Sequence, residues 1–436
     1  MNPIRRNSKI LAFLKKSPDS AAPTSLSPAQ ALDSDVLRRI LSHIVVNTHE
    51  AALHFHRGFP AFGEKSSLNI ISHPHPGQAD LLHAIHTCRL WYAAGVRILY
   101  ARICLVNIKS IGAWAQTIIN CPSLASLVKE VYLLDQNHVK TSFLENRRRR
   151  KGLQLARTSV VEALRCCLSV DQLVVTNRTC DQTLLIPLEE AFVEGSSMTS
   201  SLQRFTVFGY TDVYNEQHIP VIPSYLTLPH LETLCLREVS FYRAHSLPYL
   251  PRLRTLQIVQ CRQVSLSLQV ISSVTLPALE TLHIYDSTFP VGGDGLNNLR
   301  TLHVLGGEPG IVSCCPRAEI FAFDFDYNNP PSFSMSLNRV LSLTALLPLG
   351  DGEDVGEGPR IVGIFVDFIK SLSLDSLTHL IVILDPMWKY TYHPTDYAAD
   401  LVRDNLQKFA RWRDIKVEVI VKGINDWVFA HIQDPF

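Results

Sequence analysis

The sequence predicts an α/β protein in which a small helical unit precedes an irregular solenoid of short strands. Three observations predict this fold class: a helical periodicity near the N-terminus, four copies of one leucine motif further along, and a composition typical of packed domains. Of the 436 residues, 46% are hydrophobic and 19% are charged, which excludes a chain that is disordered throughout. The 41 basic and 40 acidic residues give a net charge of +1, so no overall field attracts nucleic acid or anionic lipid.

The helical unit is predicted for residues 31–104, behind a flexible arm over residues 1–30. Apolar residues recur at helical spacing from Val36 to Ile44, and Asp33 or Ser34 is a candidate helix N-cap. The pattern is lost over residues 47–79, which are rich in His, Pro, Gly and Ser and are interpreted as an insertion. It returns at Leu81 and continues to Tyr100.

The repeat is a six-residue motif, Leu-x-Thr-Leu-x-[Leu/Ile/Val]. Its four copies begin at Leu231, Leu253, Leu279 and Leu299, and their central leucines are 22, 26 and 20 residues apart. Looser copies begin at Val128, Val170, Leu202, Ala318 and Leu377. Each copy buries its apolar face only against its neighbours, so the copies must stack into one core. Residues 105–436 are therefore predicted to form the solenoid, with the acidic, glycine-rich residues 349–359 as an exposed loop.

Alternation along each short strand assigns its residues to two faces. The central leucines Leu234, Leu256, Leu282 and Leu302 are predicted to form a buried ridge. The intervening residues are predicted to share an open face, which is either solvated or binds a partner. Because Tyr and Arg often dominate interfaces, the candidate contacts on this face are Arg237, Gln257, His283, Tyr285 and His303.

Two groups of residues resemble a known family. Leu32-Asp-Ser-Asp35-Val36-Leu37, Ile40-Leu41 and Ile44, followed by Leu81-Leu82, Cys88-Arg89-Leu90-Trp91 and Leu99-Tyr100-Ala-Arg-Ile103, resemble an F-box. The later array resembles irregular leucine-rich repeats, and the order of the two is similar to F-box-like proteins of mushroom-forming fungi. The chain departs from the family at Asp33, where a proline is usual, and in the insertion 47–79. The asparagine/cysteine position of the repeat is met by Cys261, whereas its equivalents are Val239, Ser287 and Gly307.

The resemblance implies a substrate-receptor subunit of a cullin-type SCF ubiquitin ligase. Its F-box would dock on a Skp-type adaptor and through it on the cullin, and its repeats would bind an unknown target protein. The residues that either face the adaptor or form the F-box core would be Leu32, Val36, Leu37, Ile40, Leu41, Ile44, Leu81, Leu82, Cys88 and Trp91. The alternative is a free-standing repeat scaffold whose F-box has decayed. No cofactor, nucleic acid or membrane is expected, and the compartment is expected to be cytoplasmic or nuclear.

Enzyme and metal signatures are absent from the sequence. It contains no motif of the nucleotide-binding, α/β-hydrolase or zinc-protease families. A hydrolase assembled from distant Asp, His and Cys residues remains the alternative outside the binding proteins. His73, His75, His83 and His86 are the candidate zinc ligands, but no cysteine pair stands at ligand spacing, and no metal is expected.

The chain also carries two basic segments and ten cysteines. The basic run 147–151 is a nuclear-import signal, an RNA contact or a solvated loop. The basic first residues are either a short arm or a segment similar to a transit peptide. The ten cysteines include no Cys-x-x-Cys and are expected to be reduced thiols.

Overall fold

The structure is a computed structural model of the chain. It describes residues 33, 35–41, 76–105, 108–133, 158–176, 192, 197–208, 228–237, 240–241, 247–259, 261–263, 271–287, 295–306, 309–331, 337–348, 357–385, 394–411 and 413–421. The described residues before Tyr100 form one unit, and those from Tyr100 onward form a second. The predicted arm 1–30, the basic run 147–151 and residues 349–356 of the predicted loop lie outside the described residues.

The first unit consists of helical residues 35–41 and the helices Pro76–Ile85 and Arg89–Ala101, the last of which continues into the second unit. Asp33 caps the first helix: its carboxylate accepts a hydrogen bond from the backbone N–H of Asp35 at 2.7 Å, and its carbonyl accepts one from Leu37 at 2.9 Å. An aspartate at this position satisfies backbone donors that have no partner inside the helix. The predicted capping role of Asp33 is therefore confirmed.

The helical periodicity from Leu81 to Tyr100 belongs to two helices. A turn at residues 86–88 separates them, and the backbone N–H of Tyr92 donates to the carbonyl of Cys88 at 2.9 Å. The earlier of the two helices begins at Pro76, inside the predicted insertion 47–79. Proline is favoured in the first turn of a helix because its missing N–H has no partner there in any case.

The second unit is built on one sheet of twelve parallel strands. The twelve strands neighbour one another in the order in which they occur along the chain. Their bounds are β1 Arg102–Leu105, β2 Glu130–Leu133, β3 Gln172–Thr176, β4 Arg204–Phe208, β5 Thr233–Arg237, β7 Thr255–Val259, β9 Thr281–Tyr285, β10 Thr301–Leu305, β11 Ile320–Asp324, β12 Ser342–Pro348, β13 His379–Asp385 and β14 Lys416–Val421. The short strands β6 Ser240–Phe241 and β8 Arg262–Gln263 pair with each other. A parallel sheet in strict chain order is the arrangement of a solenoid-like α/β fold.

The strand register confirms the repeat alignment. Leu234 pairs with Leu256, which pairs with Leu282, which in turn pairs with Leu302. The five looser copies continue the same row through Val131, Leu173, Phe205, Phe321 and Leu380. Three strands without a predicted copy add Ile103, Leu343 and Val417 to the row. These residues point to one side of the sheet, which we call the first face.

Two boundaries differ from the sequence predictions. Residues 102–104 were assigned to the helical unit, but they belong to β1, the first strand of the sheet. Ile103 is 5% exposed and packs in the core of the first face, so the row of apolar residues on that face begins at Ile103. Glu357–Pro359 were assigned to the loop, but the helix Glu357–Ser371 begins at Glu357.

Helices cover the first face at both ends of the array. Their bounds are Ile108–Asn120, Pro122–Ala125, 158–166 and Ser197–Ser201 on one side and Glu357–Ser371 and Pro394–Arg411 on the other, with a 3-10 helix at Pro309–Cys314. One continuous apolar core joins them to the strands. The aromatic rings of Phe325 and Phe365 meet edge-on at 5.1 Å and join β11 to the helix Glu357–Ser371.

A short hydrogen-bond ladder joins three neighbouring repeats behind the strands. The backbone N–H of Cys261 donates to the Ser287 hydroxyl oxygen at 2.8 Å, and the Cys261 thiol donates to the Leu236 carbonyl at 3.3 Å. The Ser287 hydroxyl donates in turn to the Tyr285 carbonyl at 2.7 Å. Serine therefore takes the role expected of asparagine or cysteine, which corrects the prediction that Ser287 does not fit the position.

Candidate functional site

The first unit carries an apolar surface beside its apolar core. Leu37, Leu41 and Leu81 are fully buried, whereas Val36, Ile40 and Leu82 are 46%, 42% and 42% exposed. Residues four apart lie above one another on a helix, so the pairs 36/40 and 37/41 form two adjacent stripes. Only one of these stripes faces the core of the unit.

The ten predicted F-box residues are thus divided by the structure. Three are buried, three are exposed, and Cys88 and Trp91 are half-buried, with Trp91 packed against the core. Leu32 and Ile44 lie outside the described residues. The exposed members, Val36, Ile40 and Leu82, are hereafter called the apolar stripe.

The second face of the sheet carries the five predicted partner contacts. Gln257, His283 and His303 occupy one row across β7, β9 and β10. The two imidazole rings stack with their centroids 4.4 Å apart and their planes at 23°.

This row is not open, contrary to the sequence prediction. Gln257, His283 and His303 are 0%, 5% and 9% exposed. Strands about 4.8 Å away on either side cover a mid-strand side chain laterally. Leu305, Ala322, Leu346 and Ile383 form a second apolar cluster on this face, against which Tyr285 packs. Of the predicted contacts, only Arg237 and Tyr285 are half-exposed.

A partly buried polar network lies at the β1–β2 end of the second face. Arg102 donates two hydrogen bonds to the carboxylate of Glu130, at 2.7 and 2.8 Å, and the Tyr132 hydroxyl donates a third at 2.9 Å. Burial raises the pKa of the Glu130 carboxyl, but the hydrogen bonds and charge of Arg102 outweigh this effect and leave the pKa below its usual value. Burial likewise raises the pKa of Tyr132, so its hydroxyl stays protonated and can donate. Arg102 and Glu130 therefore form a structural ion pair whose carboxylate accepts three hydrogen bonds.

The amino-terminal edge of the sheet, where the strands begin, carries a row of alternating charge. The residues that directly precede successive strands are Glu232, Arg254, Glu280, Arg300 and Glu319. Each is joined to the previous one by a backbone hydrogen bond of 2.8–2.9 Å. The sequence already contains this signal, because the second position of the repeat motif alternates between Glu and Arg, although the predicted partner contacts do not include these residues.

A pocket of about 530 Å³ opens at this edge. Its charged lining comprises Arg254, Arg300, Arg317 and Arg339 with Glu280 and Glu319, and all six side chains are exposed. Leu341 also lines it and is 42% exposed. We call this feature the arginine pocket.

Three of the described thiols are affected by burial, and the described histidines do not gather into a metal-binding group. Burial raises the pKa of Cys104, Cys167 and Cys315 to about 12 each, so these thiols are not nucleophiles near neutral pH. Within the part of the chain that the structure describes, no three His, Cys, Asp or Glu residues are placed to hold a metal ion. Of the candidate zinc ligands, His83 and His86 are exposed, and His73 and His75 lie outside the described residues.

Among the described helices, none has the length and hydropathy that crossing a membrane requires. In comparisons with known proteins, the chain matches no model of a protein family and no curated protein.

Proposed function

We propose that the protein is the substrate-receptor subunit of a cullin-type ubiquitin ligase. The first unit docks on a Skp-type adaptor through the apolar stripe, and the repeat array holds the protein to be ubiquitinated. The protein performs no chemistry itself, and it acts by raising the effective concentration of the target near the ligase. A complex of this kind operates in the cytoplasm or the nucleus.

The observation that carries this proposal is the apolar stripe. Val36, Ile40 and Leu82 are each more than 40% exposed although they adjoin a fully buried core. Val36 and Ile40 lie one helical turn apart, and exposed apolar residues that are grouped in this way and rimmed by polar ones mark interaction sites. Here the rim includes Asp35 and Arg38, which form an exposed ion pair at 3.3 Å on the same helix.

The test is binding of the purified full chain to the purified Skp-type adaptor. Val36→Asp and Ile40→Asp together should abolish binding, because each places a charge where apolar contact is needed, while the far-UV circular dichroism spectrum is retained. Val274→Asp is the matched control, since Val274 is 68% exposed and belongs to the second unit. A wild-type chain that does not bind the adaptor, or a double variant that binds as well as the control, would overturn the proposal.

The free-standing scaffold is the outcome in which the wild-type chain does not bind the adaptor. Two departures from the F-box pattern favour this alternative, namely Asp33 and the insertion 47–79. The first of them loses weight, because Asp33 replaces the family proline with a working helix cap. The other departure, the predicted insertion 47–79, lies outside the described residues up to residue 75.

A further inference from the structure

We infer that the arginine pocket is a binding site for an acidic, carboxylate-bearing peptide segment of a partner protein. The site lies entirely in the second unit, so the inference stands independently of adaptor binding.

The charge of the pocket favours an anionic partner. Four arginines against two glutamates give its lining a net charge of +2, in a chain whose total is +1. Within the described part of the chain, none of the four arginines has a carboxylate within 4.0 Å. Their guanidinium groups are therefore free to bind carboxylates in the bidentate geometry that arginine favours.

The backbone holds these arginines in fixed positions. Arg254 and Arg300 lie in the row that backbone hydrogen bonds join across the edge. Arg317 and Arg339 lie on successive turns, each closed by a backbone hydrogen bond, from Ala318 to Cys315 at 3.1 Å and from Val340 to Leu337 at 3.0 Å. The fixed backbone sets the spacing at which the four arginine side chains reach a ligand, so no loop has to be ordered on binding.

The arrangement fits separate carboxylates better than one phosphate group. Glu280 and Glu319 alternate with the arginines, so positive charge is spread along the edge at intervals set by strands about 4.8 Å apart. A phosphate dianion is best held where several cationic donors converge with no acid between them. The lining also contains no aromatic side chain on which a nucleic-acid base could stack.

The size and the apolar part of the pocket favour a peptide over a small anion. A volume of about 530 Å³ exceeds what a single carboxylate fills. Leu341, 42% exposed at one end, offers an apolar contact beside the charged ones. A peptide segment with acidic side chains and one apolar residue matches both features.

The experiment measures the affinity of the full chain for short fluorescein-labelled peptides by fluorescence anisotropy. The probes are a peptide of Glu and Leu, the same peptide with Gln for Glu, and the Gln peptide with two phosphoserines. The Glu peptide should bind, the Gln peptide should not, and binding should weaken as salt increases.

Charge-matched variants locate the site. Arg317→Gln with Arg339→Gln should weaken binding of the Glu peptide roughly fivefold or more, because two exposed ion pairs are lost. Arg360→Gln with Arg411→Gln removes the same charge from exposed positions on two helices outside the pocket and should leave the affinity unchanged.

A gain of affinity separates binding from misfolding. Glu280→Gln with Glu319→Gln should strengthen binding of the Glu peptide, whereas Glu162→Gln with Glu418→Gln, also exposed, should not. Equal changes in affinity for the pocket variants and the control variants would contradict the proposed binding site, and so would failure of the Glu peptide to bind. Tighter binding of the phosphoserine peptide through the same arginines would overturn its assignment to carboxylates.

Discussion

At the residue scale, the Arg102–Glu130 pair makes stability depend on pH. Glu130→Gln should lower the free energy of unfolding by about 1–3 kcal/mol at pH 7, because a half-buried guanidinium loses its charged acceptor. The pKa of Glu130 is lowered in the folded state, so its stabilisation is present above the ordinary pKa and is lost as the pH falls through the folded value. The difference in stability between the wild type and the variant should therefore shrink as the pH falls below the ordinary glutamate pKa of about 4.3, and it should vanish only below the folded-state pKa, as measured by urea unfolding across pH.

The matched control for this experiment is Asp400→Asn. Asp400 pairs with Arg403 at 2.6 Å, but both side chains are largely exposed, at 67% and 43%. Solvent screens such a pair, so its loss should change stability by no more than about 0.5–1 kcal/mol. A Glu130→Gln variant that is no less stable than Asp400→Asn would contradict the importance of burial for the Arg102 pair.

Ser287 allows a second test at this scale. Ser287→Ala should cost about 1–3 kcal/mol, because the buried backbone N–H of Cys261 loses its acceptor. Ser371→Ala removes an exposed hydroxyl that bonds the Phe368 carbonyl in its own helix, and it should change stability by less than about 0.5 kcal/mol. Thermal unfolding of the two variants compares these costs, and equal shifts would mean that the ladder does not join the repeats.

At the element scale, helix packing in the first unit depends on Gly95. A Cβ added there would overlap Cγ2 of Ile85 and would lie 3.2 Å from Cδ1 of Leu41. Ile85 is β-branched and cannot easily move this methyl group away, so the helices would have to separate. Gly95→Ala should therefore destabilise the unit by about 1–2 kcal/mol, because overpacking outweighs the gain in helix propensity.

Gly363 is the matched control for Gly95. It lies exposed in the helix Glu357–Ser371, and a Cβ there would meet no atom within 4 Å. Gly363→Ala should therefore stabilise the protein by about 0.5–1 kcal/mol. Opposite signs for the two substitutions in chemical unfolding are the expected result, and stabilisation by Gly95→Ala would mean that the helices are further apart than described.

Strands were predicted more accurately than helix boundaries, for a physical reason. Nine of the twelve strands carry a copy of the motif, and a slip of one residue would turn the apolar residues of such a strand from the core to the other face. No comparable penalty fixes the residue at which a helix begins or ends. The turn at residues 86–88 and the helix starts at Pro76 and Glu357 therefore differ from the bounds that the sequence predicts.

At the scale of the whole molecule, the leucine row is the common core of the array. Leu256 is fully buried between Leu234 and Leu282. Leu256→Asp should cost at least about 4 kcal/mol, since it removes apolar contacts and buries an unpaired charge. Val274→Asp, at a 68% exposed position, should cost less than about 0.5 kcal/mol. Urea unfolding followed by circular dichroism compares the two, and similar midpoints would place Leu256 on the wrong face.

The sequence by itself determined the repeat, the register of its copies and the face of the sheet on which the leucines lie. These properties follow from the alternation of residues within a strand and from the spacing of the copies along the chain, and both can be read directly from the amino-acid sequence. The N-cap at Asp33 could also be predicted from the sequence, because a capping side chain bonds a backbone N–H only two or three residues away.

Only the tertiary structure decided which polar residues are accessible. His283 and His303 alternate correctly with the leucines, but neighbouring strands and the second apolar cluster bury the row to which they belong. The arginine pocket likewise gathers Arg254 and Arg339, which are distant in sequence, along one edge of the sheet. Exposure and charge clustering depend on what lies on adjacent strands, and that is set by the stacking of the repeats.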